Sequence, residues 1–363
     1  MSWTATVLGE FASGIGSLDN EAMVEAKARL DNLAKPPGSL GELETMAVRL
    51  AGISGQMYYS TKKRCVIIMV SDNGVAAEGV SSAPQSVTYA QTINFIRGIT
   101  GVAALAKQFQ TDLIVVDMGI NGDIEHPLIK NKKIRKSTWN MTEQAAMSYD
   151  EAVQAVLSGI ETAAQAVKDG YNVLGVGEMG IGNTTTSAAV LCALTGTLPE
   201  KAAGRGAGLK DEAYRHKINV ISRALEHNKP DSADPIDVLA KVGGFDIAAM
   251  AGVFIGGAYK RVPTVIDGFI SMVAALVAAR INPEVKNYMF ASHASIEPGY
   301  AYAAESLGVK PYLQLNMRLG EGSGCPIMFA VLDASCAVMR DMGTFEEAGI
   351  GDEYLNNLPG IKH

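Results

Sequence analysis

Residues Leu315 to Pro326, LNMRLGEGSGCP, hold one carboxylate, Glu321, among Gly320, Gly322 and Gly324, with apolar Leu319 just before it. Three glycines in five positions let a backbone turn sharply and come close to a ligand. An acid held in such a turn, beside apolar neighbours, is a candidate general base.

Gly175 to Thr186, GVGEMGIGNTTT, reads as a strand, a glycine turn and the start of a helix. Gly175, Gly177 and Gly180 formally match GxGxxG. A dinucleotide site would also need an acid ending the next strand, about 20 residues on. Here that region is TGTLPEKAAGRG, which is no strand, so a nicotinamide-dependent oxidoreductase is disfavoured. The turn suits a single phosphate better, held at a helix N-terminus by backbone N–H groups and the hydroxyls of Thr184 and Thr185. Glu178 would repel that phosphate unless it faced elsewhere, toward a ribose hydroxyl or a developing cation. A plain strand-to-helix turn is the competing reading.

Three further stretches carry polar groups. The glycine-rich loop GRGAGL, which includes Gly206, brings Arg205, and Lys217 follows. Either cation can serve a phosphate or simply face water. Val87 and Gln91 lie four apart on one helical face. An apolar wall and an amide suit a flat heteroaromatic ring, although core packing explains Val87 equally well. His293 is a lone histidine and reads as structural.

These residues need a frame. Six apolar runs each end in a small polar loop, with helical sequence between them: 65–71, 113–117, 173–177, 263–266, 288–291 and 312–317. Near-continuous apolar strands alternating with helices imply an α/β fold, with a mostly parallel six-stranded sheet covered on both faces. Ligands of such sheets bind beyond the carboxyl ends of the strands. That edge collects Asp72, Asp117, Glu178, Asn183, Asp267, Ser292, His293 and Glu321.

Asn20 to Leu33 has helical spacing. Ser39 with Glu42 reads as a capping box for a helix from Leu40 to about Ala51, after the helix-breaking KPPG. Tyr149 to Lys168 is strongly amphipathic, and Leu332 to Met342 is a second apolar helix. The expected domains are a small helical one, 1–58 with 328–363, and a large α/β catalytic one, 59–327. The chain ends in a polar tail, 353–363.

The 363 residues are 48% hydrophobic and 19% charged, so a large core is expected and disorder is not. A net charge of −7 argues against nucleic acid as partner. Any anionic ligand must then rely on local donors. Four scattered cysteines and five histidines lack metal-ligand spacing, so neither a metal, a cofactor nor a disulfide framework is expected. The N-terminus lacks the pattern of a signal peptide. The longest apolar run, 269–279, is too short to span a bilayer, so no membrane association is expected. A phosphate cradle with a lone base suits glycosyl transfer from a nucleotide, where C1′ departs as an oxocarbenium-like centre. Two carboxylates in different loops can divide the roles of base and cation stabiliser.

Five segments in order, KPPGSLGELE, SDNGVAAEGV, GEMGIGNTT, KVGGFDIAAMAG and MRLGEGSG, resemble the nicotinate-nucleotide–dimethylbenzimidazole phosphoribosyltransferase family. The resemblance runs from about residue 20 to about 345. It implies transfer of the 5-phosphoribosyl group of nicotinate mononucleotide to 5,6-dimethylbenzimidazole or a related base. Nicotinate and an α-riboside 5′-phosphate, used in assembling cobamides, would be the products. It also implies Glu321 as general base and Glu178 as its partner near the ribose. Gly180, Gly182, Asn183, Thr184, Thr185, Gly206 and Lys217 would bind nucleotide and phosphate, and Val87, Gln91 and Leu319 would line the base pocket. A cytoplasmic homodimer is implied as well. Alternatives are a member specialised for phenolic or purine bases, or a non-catalytic subunit of a heteromeric transferase. Where the family usually has Asp-His-Gly, this chain has Asp72-Asn73-Gly74. A histidine is thus expected to be missing from the base pocket.

Overall fold

The computed structural model describes residues 3–206 and 208–351. Its sheet has six strands, all parallel: β1 Arg64–Ser71, β2 Asp112–Gly119, β3 Ile129–Asn131, β4 Val173–Met179, β5 Thr264–Ile266 and β6 Met289–Ala291. Their order is β3-β2-β1-β4-β5-β6. The chain therefore winds outward from β1 in one direction and from β4 in the other. The reversal falls between β1 and β4, where Val70 pairs with Met179. A crevice opens at such a reversal, and ligands of doubly wound sheets lie there. Cys65 to Ser71 are all buried, on both faces of the strand. Helices cover both sides, which is why the sequence shows no alternation.

The sheet differs from expectation at one strand. Tyr312–Met317 forms only a single parallel bridge, Leu313 with His293, and Asn316 within it has φ +54°. It follows β6 through scattered backbone bonds, Leu313 N–H to Ser292 O at 2.9 Å among them. The sixth strand is instead β3, a three-residue edge piece. Glu321 therefore comes from a loop leading into the helix Gly324–Asp341, not from a strand end.

The helix Tyr149–Lys168 spans the expected residues. Ser148 caps it by accepting from Glu151 N, while the Glu151 carboxylate accepts from Ser148 N. It packs on the helix Phe245–Tyr259, which is buried from Phe245 through Ala258. The crossing is close because Gly159 and Gly252 face each other's backbones, and a Cβ on either would overlap a carbonyl oxygen.

Two compact units emerge, residues 1–16 with 63–328 and residues 17–62 with 329–363. Helix Trp3–Ser13, expected in the small domain, sits on the large unit instead. Phe11 meets the Tyr259 ring edge-on at 5.1 Å, and Asn282 donates to Ala12 O at 2.6 Å. In the small unit, Ala22, Ala26, Leu30, Ala47, Ala51 and Met339 form the core. The Ser39–Glu42 capping box does not form. The helix begins at Glu42 after Gly41, whose φ is +53°, and Leu40 N–H is taken by Glu44 at 2.9 Å. Glu44 also lies 2.8 Å from Lys35, a buried ion pair inside the KPPGSLGELE motif. The polar tail, 353–363, lies outside the described residues.

Candidate active site

Beyond the carboxyl ends of β1 and β4 lies a cavity of about 700 Å³. Glu321 stands on one wall, and the turn Gly180–Thr184 with Glu178 forms another. Val87, Gln91 and Leu319 also line it, as does Gly206. Thr185 and Lys217 do not. Thr185 is fully buried with its hydroxyl unpartnered, while Lys217 reaches the cavity indirectly, donating to Thr184 Oγ1 at 2.8 Å.

The glycines of β4 have a different cause from a dinucleotide fingerprint. A Cβ on Gly177 would overlap the Glu321 carbonyl oxygen and lie 2.8 Å from Gly322 Cα; one on Gly175 would lie 2.6 Å from Cys325 Cβ. The strand is stripped of side chains so that the Glu321 loop can cross it. Asp267, at the end of β5, anchors that loop by accepting from Gly322 N at 3.0 Å and Gly324 N at 2.7 Å. Glu321 itself has φ +64°, a left-handed backbone that a side chain enters at a cost. Gly177→Ala should push the loop outward by about 1 Å, since the new Cβ would stand 2.4 Å from the Glu321 carbonyl oxygen. Turnover should then fall about a hundredfold, the cost of a misplacement of that size. Steady-state kinetics on the folded variant checks this, and a rate equal to the parent's would refute the crossing as a constraint.

Both Glu321 oxygens accept hydrogen bonds. Oε1 takes Gln91 Nε2 at 2.6 Å and Oε2 takes Val102 N at 3.1 Å, in the first turn of the helix Gly101–Gln108. Gln91 is thus a partner of the acid as well as a wall. Glu178 faces Glu321 from β4, accepting its backbone N–H at 3.3 Å and the Asn183 amide. Burial pushes the Glu178 carboxyl up to about 8, and Asp246 nearby adds to the rise. At neutral pH that carboxyl therefore holds its proton in the free protein.

Asp246 was not anticipated. It lies fully buried in the helix after KVGGF and accepts from Asn183 at 3.1 Å; burial raises its pKa to about 7. Asn73 belongs to the same network. Its amide contacts Asp246 at 3.5 Å and Ser71 O at 3.3 Å, and its oxygen accepts from Thr186 at 3.3 Å. It is fully buried behind the Gly180 turn and does not line the cavity, so the expected gap in the base pocket is absent at this position. Only the large sequence separation of these partners kept the network from view.

Of the remaining edge residues, only His293 and Asn183 line the cavity. Burial holds His293 neutral, with its pKa down to about 4. Asp117 pairs with Lys133 at 3.1 Å, and Asp72 accepts from Asn121 N at 2.7 Å. Arg205 is tied to Asp211 at 2.6 Å. Sequence reasoning passed over Phe269, Ile270 and Ser295 in the lining, and also Arg318, although it stands inside the MRLGEGSG segment. Among the described residues, no cluster of three or more His, Cys, Asp or Glu is placed to hold a metal ion. None of the described helices is long and apolar enough to cross a membrane.

A family model described as phosphoribosyltransferase matches residues 15–350. The chain is 53% identical over 352 residues to the nicotinate-nucleotide–dimethylbenzimidazole phosphoribosyltransferase of Clostridium perfringens, covering 97% of this chain and 98% of that protein. The chain belongs to this family. The Acetivibrio thermocellus relative of the same name is 49% identical over 344 residues, covering 95% of this chain and 98% of that protein. Among solved structures, CobT from Thermus thermophilus superposes with a TM-score of 0.88 at 38% identity, covering 91% of this chain and 99% of that one. In this phosphoribosyltransferase the glycine-flanked acid and the Gly180–Thr184 turn line one cavity.

Proposed function

We propose that this phosphoribosyltransferase moves the 5-phosphoribosyl group of nicotinate mononucleotide onto a ring nitrogen of 5,6-dimethylbenzimidazole or a close relative. The observation that carries the reading is the shared cavity: Glu321 and the Gly180–Thr184 turn both line it. The turn, with Gly182 at φ +97° opening the helix Asn183–Thr195, presents backbone donors to a phosphate. Thr184 and the Lys217 behind it add a hydroxyl and a cation. Val87, Leu319 and Ile181 offer an apolar slot to the base.

In the reaction, the C1′–N bond to the pyridine ring breaks and its electron pair returns to the ring nitrogen, giving nicotinate. The base nitrogen attacks C1′ from the opposite face, so a β-linked nucleotide yields an α-riboside. The base's N–H proton passes to Glu321. Glu178, protonated at rest, is suited to donate to a ribose hydroxyl rather than to act as a fixed charge. We take the working form to be a cytoplasmic homodimer, as the family resemblance implies, and light scattering tests that assignment.

The deciding experiment incubates the purified chain with nicotinate mononucleotide and a panel of benzimidazoles, purines and phenols. Nicotinate and one α-riboside 5′-phosphate are expected in equal amounts, fastest with a benzimidazole. Absence of nicotinate release with every base would overturn the assignment and favour a non-catalytic subunit.

A further inference from the structure

Gln91, Asn94 and Arg97 follow one another at three-residue steps down one side of the helix Ser86–Arg97. Their side chains form a line of hydrogen bonds that ends on the Glu321 carboxylate. Arg97 Nη1 donates to Asn94 Oδ1 at 3.3 Å, Asn94 Nδ2 donates to Gln91 Oε1 at 3.2 Å, and Gln91 Nε2 donates to Glu321 Oε1 at 2.6 Å. The outer end is open to solvent, with Arg97 exposed and Asn94 half-buried, whereas Glu321 is buried.

The two ends dictate the direction of everything between them. A guanidinium only donates, and a carboxylate only accepts. Each amide then has one orientation in which every link joins a donor to an acceptor. Turning either amide around sets oxygen against oxygen on one side and N–H against N–H on the other. Hydrogen bonds in series also polarise one another, so the line is stiffer than its separate links. At the inner end, Val102 N–H already holds Glu321 Oε2 at 3.1 Å. The Gln91 amide holds the second oxygen, and the two donors together set the plane of the carboxylate. We propose that Asn94 is a positioning residue for Glu321: it fixes the direction of the Gln91 amide, and Arg97 fixes Asn94 in turn. The task given to Glu321 rests on the proposed reaction, whereas the direction of the amides does not.

Asn94→Asp tests that direction. Aspartate matches asparagine in size and still accepts from Arg97, but it has no donor for Gln91. The Gln91 amide must then turn its N–H groups toward position 94 and its oxygen toward Glu321. Turnover should show kcat lowered on the order of 10-fold, the value of one hydrogen bond to a charged group, with KM for the nucleotide unchanged. Glu321→Gln reverses the preference, because it puts a donor at the inner end. The turned Gln91 amide then accepts from position 321 and donates to the carboxylate at 94. The effect of Asn94→Asp on the melting temperature, followed by circular dichroism, should therefore be more favourable in the Glu321→Gln background than in the parent, by about 2–4 °C. Pairing of the new carboxylate with Arg97 is common to both backgrounds and cancels. Repulsion between acids at 94 and 321 does not cancel, and Gln91→Met separates it: cutting the line abolishes the difference, while repulsion through space preserves it. Equal melting shifts in the two backgrounds, a difference that survives Gln91→Met, or an unchanged kcat in Asn94→Asp would each overturn the inference. Melting needs no substrate, so absence of transfer to any base would sink the proposed reaction and leave the line of amides to be decided by the thermal comparison.

Discussion

Glu321→Gln is expected to reduce turnover by about 10²- to 10⁴-fold, the span of positioned proton transfer, while leaving stability within about 1 kcal/mol. The substitution is well matched to the site. Val102 N–H still finds an oxygen, and the new amide nitrogen can donate to Gln91 once that side chain turns its own amide around. The left-handed backbone at 321 and the Asp267 anchor of Gly322 and Gly324 are the same in both proteins. Strain and loop position therefore cancel in the comparison, and what remains is the carboxylate's ability to take a proton. Single-turnover rates across a series of bases make the test sharper. The loss should be greatest for bases whose N–H is least acidic. An unchanged rate in the Glu321→Gln variant would remove Glu321 from proton transfer and leave positioning as the source of the rate.

The elements readable in advance were those fixed by local chemistry. Helix 149–168 was legible to the residue because its apolar stripe and its boundaries are written in adjacent positions. The central strands were legible because burial on both faces forces unbroken apolar runs. Tyr312–Met317 has the same look, yet it forms a single bridge, to His293 just past β6, since apolar sequence records burial and not hydrogen-bond partners. β3 is three residues long with a partner on one side only, too little to leave a pattern. At the site, the acid and the glycine turn were visible as types in a spacing. Their wiring was not. Asp246 and Asn73 meet across 173 positions, and Gln91 reaches Glu321 across 230. Gly177 fitted the form of a dinucleotide fingerprint because sequence shows that a side chain is missing and not what occupies the space. The placement of Asp72-Asn73-Gly74 makes the same point. A residue type next to a strand end says little about which way its side chain turns, and Asn73 turns inward.

Lys217→Met should raise the apparent KM for the nucleotide by on the order of 100-fold, the value of one charge-assisted hydrogen bond to a phosphate or slightly more. Lys217 is wholly buried in the helix Asp211–Asn228, and a Cβ on Gly206 would stand 3.8 Å from its Nζ. Its ammonium thus lies directly behind the glycine loop of the cavity. Burial pulls its pKa from 10.5 down to about 8, with Glu297 opposing that shift. The free protein should therefore lose this positive charge as pH rises through about 8, and kcat/KM for the nucleotide should fall on that limb. An arriving phosphate favours the charged form, so kcat should show the limb displaced to higher pH. The stability effect has the opposite sense. A folded-state pKa below the unfolded value means that the fold bears the cost of a buried charge below about 8, a cost that fades between 8 and 10.5. Methionine carries no such charge, so the variant should match or exceed the parent's stability at pH 7 and lose that advantage in alkali. Urea unfolding at several pH values and nucleotide kinetics over the same range separate the two effects. A variant with unchanged KM, or one that keeps the alkaline limb in kcat/KM, would show that Lys217 serves the fold and not the phosphate.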